Sequence, residues 1–98
     1  MEFVGGLPDD GRVPRISTFY GILIAMYYCD HAPPHFHAIY GDHEAKIVIE
    51  SLDRLSGDLP TRALQLVLEW AELHGEELAA NWQKGQDREP LDTIAALP

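Results

Sequence analysis

Eight consecutive residues, Asp30-His31-Ala32-Pro33-Pro34-His35-Phe36-His37, constrain this chain more than any other stretch, and they hold three of its five histidines. Pro33 and Pro34 have no N–H to give to a sheet ladder, so they end whatever strand precedes them. After them, His35–Tyr40 and Glu44–Glu50 read as strands rich in β-branched and aromatic residues. Gly41-Asp42 suits a two-residue hairpin turn, because Gly accepts positive φ without steric cost. That turn sets the register: Tyr40 opposite His43, Ile39 opposite Glu44, Ala38 opposite Ala45, His37 opposite Lys46 and Phe36 opposite Ile47. Alternation then places Phe36, Ala38, Tyr40, Ala45, Ile47 and Ile49 on the core face. His35, His37, Ile39, Glu44, Lys46, Val48 and Glu50 share the other. A slip of one residue would put both imidazoles in the core in place of Phe and Ala, at greater cost. The expectation is that His35 and His37 point away from the core and line a sheet surface.

The 98 residues suffice for one small domain. The apolar run Phe19–Tyr28 is too short for a membrane span. A single cysteine, Cys29, excludes an internal disulfide. Together with a start lacking the basic residues of a signal peptide, it points to the cytoplasm. The formal charge of −9 argues against nucleic-acid binding, which draws on Lys and Arg. It favours solubility and a basic protein partner.

Residues 1–13 have no discernible period and read as an N-terminal arm; residues 14–98 read as a single small α+β domain. Ser17–Tyr28 reads as one strand, apolar on both faces and so needing a second cover. Ser51–Leu59 reads as a connection. From Thr61 the apolar positions Leu64, Val67, Ala71, His74, Leu78 and Trp82 hold a helical period through Gly75. This predicts one long helix to about Lys84, with two helices broken at His74-Gly75 as the alternative. Ala63, Leu66, Trp70 and Leu73 widen its apolar arc, which marks Trp70 and Leu66 as candidate interface residues. Leu91, Ile94 and Leu97 can lay an extended tail back on the fold.

The string Asp30-His31-Ala32-Pro33-Pro34-His35-Phe36-His37 is accompanied by Phe19-Tyr20-Gly21, Tyr40-Gly41, Glu44-Ala45, Leu59-Pro60, Arg62-Ala63-Leu64 and Glu69-Trp70. With these the chain resembles, over about residues 14–95, the bacterial family named domain of unknown function 4160. The resemblance implies no assigned activity. It implies a neighbouring small protein, in an arrangement like a toxin–antitoxin pair.

Two chemistries compete with a purely structural role for the histidine loop. One is a divalent transition metal held by His31, His35, His37 and Cys29, since neutral imidazole is a common ligand for zinc, copper and nickel. The other is metal-free acid–base cleavage of RNA by His35 and His37 beside Lys46, with Tyr27 or Tyr40 nearby. The structural reading has Asp30, His31, Pro33 and Pro34 stiffening the loop. No phosphate loop, nucleophile elbow or paired-cysteine motif is present. The fold expected is α+β: a three-stranded antiparallel meander packed on one long C-terminal helix, with a short extended C-terminal tail. The function expected is protein interaction, in a homo-oligomer and with an operon-encoded partner, with no cofactor. A histidine-dependent ribonuclease or a metal-binding protein is the alternative.

Overall fold

The computed structural model describes residues 13–98. The arm assigned to residues 1–13 therefore lies, Val13 apart, outside the described residues. Five strands form one antiparallel sheet in chain order: β1 (Arg15–Phe19), β2 (Ile22–Ala25), β3 (His35–Tyr40), β4 (His43–Val48) and β5 (Arg54–Gly57). Two helices follow, α1 (Thr61–Leu73) and α2 (Gly75–Gln86). The class is α+β, but the sheet has two strands more than expected and the long helix is broken.

The first extra strand comes from splitting Ser17–Tyr28. Tyr20 and Gly21 both have positive φ, +51° and +78°, as a type I′ hairpin turn requires of its two central residues. The second lies in the stretch read as a connection, where β5 pairs with β4. Gly57 has φ +77°, and a Cβ there would overlap the Glu44 carbonyl oxygen, so β5 depends on a glycine at this position. The β3–β4 register is the expected one throughout, from His35 opposite Val48 to Tyr40 opposite His43. Gly41 turns that hairpin at φ +58°.

Helix α1 lies on the Phe19 and Phe36 face of the sheet. Trp70 is central to this contact, its ring 5.3 Å from Phe19 and 5.9 Å from Phe36 between centroids. Ile24, Ala38, Ala45, Ile47 and Val67 complete the buried cluster around it. The apolar period does run through Gly75, but His74 leaves helical geometry at φ −122°, ψ 26°, and α2 begins after it. Glu76 and Glu77 in the first turn of α2, and Lys84 in its last, complement the helix dipole. Among the described residues no helix is long and apolar enough to cross a membrane.

The tail does lie back on the fold. Ile94 is buried, and its N–H donates to the Ile16 carbonyl. The Asn81 side chain both donates to the Asp92 carbonyl and accepts from the Asp92 N–H, each at 2.9 Å. Trp70 donates its indole N–H to the Ala95 carbonyl at 2.7 Å. Trp70 is thus enclosed within one chain, at 0% exposure. This corrects its reading as an interface residue, because the tail supplies the cover that a second copy was expected to provide. Leu66 is partly buried and packs against the same cluster.

Candidate metal centre

The cluster around His37 follows from the hairpin register. With Phe36 in the core, His35 and His37 project from the opposite face of β3, beside Ala25 of β2 and Lys46 of β4. They do not line an open surface, as was expected: His35 is 3% exposed and His37 5%. The cover comes from the segment joining β2 to β3 and from α2. Tyr27 stands edge-on to the His37 ring at 4.6 Å, and Trp82 of α2 packs against His35 at 5.3 Å. The last turn of α2 secures the segment itself. The Cys29 N–H donates to the Gly85 carbonyl, and the Gln86 amide donates to the Asp30 carbonyl. Burial of two imidazoles is tolerated because their Nδ1 atoms have polar partners.

Those partners determine where each ring carries its proton. His35 Nδ1 lies 2.7 Å from the Pro33 carbonyl oxygen, which can only accept, so Nδ1 is the donor. His37 Nδ1 lies 2.8 Å from Glu44 Oε2 and donates to that carboxylate. In the neutral rings, both Nε2 atoms therefore present lone pairs. They converge on Asp30 Oδ2, at 3.1 Å from His35 and 3.4 Å from His37. His35 Nε2 is buried and makes no hydrogen bond, its short approach to Asp30 being poorly aligned for one. The other oxygen, Asp30 Oδ1, accepts a hydrogen bond from the His31 N–H at 2.8 Å.

Three electron-pair donors thus face one another with no proton between neutral rings and carboxylate. Such a set is satisfied by positive charge, either on the rings or as a cation among them. The charges of the cluster already show in its titrating groups. When the rings carry that charge, burial still pushes the Asp30 carboxyl up, but the His31 N–H, a hydrogen bond from His37 Nε2 and the charged imidazoles outweigh it and hold it below the usual carboxylate value. Burial, with the charges of Glu44 and Asp30, pushes the Tyr27 phenol up.

Among the described residues, Asp30, His35 and His37 form the group whose ligand atoms fall together, all within 4.8 Å of one another. Of the residues predicted as ligands, His35 and His37 are brought together, whereas His31 and Cys29 are exposed and lie outside the group. Lys46 is half-buried and directly opposite His37 across the ladder. Asp30, assigned only to the loop, joins the donors, and Pro33 orients His35 through its carbonyl. Sequence reasoning missed Glu44 and Trp82. Glu44 was within reach of it, because the hairpin register puts Glu44 on the same face as His37. The contacts of Tyr27 and Trp82 depend on where α2 ends.

No curated protein and no solved structure matches the chain. The family model described as Domain of unknown function (DUF4160) matches residues 21–83, which span the β3–β4 hairpin, the Asp30–His37 cluster and most of both helices, and the chain belongs to that family.

Proposed function

We propose that this domain binds a divalent transition-metal ion through Asp30 Oδ2, His35 Nε2 and His37 Nε2. The observation that carries this reading is the unpartnered, buried Nε2 of His35, 3.1 Å from a carboxylate oxygen and held in the lone-pair tautomer by the Pro33 carbonyl. The Nε2–Oδ2 separations of 3.1 and 3.4 Å suit a small ion. Ligands about 2.0–2.1 Å from a tetrahedral zinc stand roughly 3.3 Å apart. Both imidazoles also have the outer hydrogen bond that usually orients a ligating histidine. Two nitrogens and one oxygen favour zinc, nickel, copper or iron over calcium or magnesium.

Calorimetry on the untagged chain at neutral pH tests this. Binding of zinc, nickel or copper tighter than roughly 10 μM, lost in His35→Ala and His37→Ala but kept in His31→Ala and Cys29→Ser, is the expected result. No binding at that level sinks the reading.

A second reading, as a protein-interaction domain, is supported by the half-exposed Leu23, Ile39 and Val48 on the sheet face that carries Lys46. An apolar strip with a charge beside it suits a partner surface. The partner would be a second copy or a protein encoded alongside, as in a toxin–antitoxin pair. Co-purification with the neighbouring gene product tests that reading. Metal-free ribonuclease chemistry has less support, since both Nδ1 atoms are engaged and the chain is acidic.

A further inference from the structure

We infer that the ion at this centre keeps one coordination position open for an exchangeable small ligand, water or a small anion. The inference rests on the metal reading above and follows from counting the donor atoms that fall together. Each imidazole gives Nε2 alone, since Nδ1 of His35 is bound to the Pro33 carbonyl and Nδ1 of His37 to Glu44. Asp30 gives Oδ2, while Oδ1 accepts the His31 N–H. Glu44 acts from behind His37, with Oε2 2.8 Å from Nδ1, the nitrogen remote from Asp30. Cys29 and His31 do not bring a donor atom into the group.

Among the His, Cys, Asp and Glu side chains of the described residues, three donors therefore meet where a zinc-like ion takes four or more. Structural sites close that shell with protein atoms, and sites that do chemistry leave it to solvent. The route for the outside ligand is also present. The Asp30 side chain is 22% exposed, whereas the His35 and His37 side chains are 3% and 7% exposed. The donor set is thus walled by Tyr27 and Trp82 on the imidazole side and reaches solvent at the carboxylate. A fourth ligand entering there meets a positively charged ion with one carboxylate beside it, an arrangement suited to a compact monodentate donor.

The full chain loaded with cobalt(II) tests this by visible absorption, with azide as the probe. The expected result is a saturable change in the cobalt bands on adding azide, at one azide per ion, retained in Cys29→Ser. Cobalt uptake with bands unaltered in excess azide overturns the open position while leaving the metal reading intact. A thiolate-to-cobalt charge-transfer band that disappears in Cys29→Ser also overturns it, since the thiol then fills the fourth place. Absence of cobalt uptake, together with absence of zinc uptake, overturns the metal reading and this inference with it.

Discussion

His37 and Glu44 meet across the β3–β4 hairpin, with Nδ1 of the imidazole 2.8 Å from Oε2 of the carboxylate. The hairpin register makes the contact: Glu44 pairs with Ile39, and Ile39 lies two residues from His37 on the same face. The carboxylate holds the Nδ1 proton and so turns the Nε2 lone pair toward Asp30. Glu44 is then a positioning residue rather than a ligand.

Glu44→Ala should weaken zinc binding by about 10- to 100-fold, the usual effect of losing an outer partner of a metal-bound histidine. Glu44→Gln should recover part of the loss, because its amide oxygen can still accept from Nδ1. Calorimetric titration of the three proteins reads the series, and equal affinities would exclude the positioning role.

Phe36, on the other side of the same strand, tests the register by stability. It is fully buried against Trp70. Phe36→Ala should cost about 3–5 kcal/mol in urea unfolding. A loss of only about 0.5 kcal/mol, the range of surface substitutions, would mean that Phe36 does not face α1.

Much of this arrangement was legible in the sequence, and the parts that were not have physical causes. Gly41-Asp42 and the apolar parity of Ala45, Ile47 and Ile49 specify one register, and the register alone puts His35 and His37 on one face. Their burial was not legible. It depends on the break at His74, which directs α2, Trp82 and Gly85 to the segment before β3. An apolar period that runs through the break reads as a single helix, because periodicity reports which face is buried and not whether the axis continues. The β1–β2 hairpin was hidden in a similar way. Tyr20 takes positive φ there, a conformation uncommon in residues other than Gly, Asn and Asp. The helical arc widened by Trp70 was correctly seen as needing a cover, but whether that cover is a partner or the chain's own tail is a matter of tertiary contact.

Acid should reveal Asp30 in the metal-free protein. Its carboxyl is held below the ordinary value of 3.8 in the fold. A lowered folded value means that the unfolded chain takes up the proton first as pH falls. The stabilisation is therefore fully present above the unfolded value and is lost as pH falls through the lower folded one. Asp30→Asn keeps an oxygen for the His31 N–H but has no charge. Urea midpoints followed against pH should show wild type above the variant near neutrality, with the gap closing only in strong acid. A gap that stays constant across that range would rule out the charge as its source.

The tail decides whether the apolar arc of α1 is exposed. Ile94 is 2% exposed and ties the tail to β1 through its N–H and the Ile16 carbonyl. Trp70 is sealed by Ala95, one residue further on. Ile94→Asp places a charge in that contact, and burying an unpaired charge costs more than releasing the segment. With the tail displaced, Trp70 and the Phe19 edge should become a contiguous apolar patch, which soluble monomers rarely tolerate. Tryptophan emission should shift to the red, and sedimentation at micromolar concentration should show the variant larger than wild type. The comparison also bears on self-association of the native chain. A wild-type dimer that persists unchanged in Ile94→Asp would have to use another surface, and the Leu23, Ile39 and Val48 strip is the one to test next by substitution with charge. A variant that stays at the wild-type size with unshifted emission would show that the tail is not what keeps Trp70 enclosed.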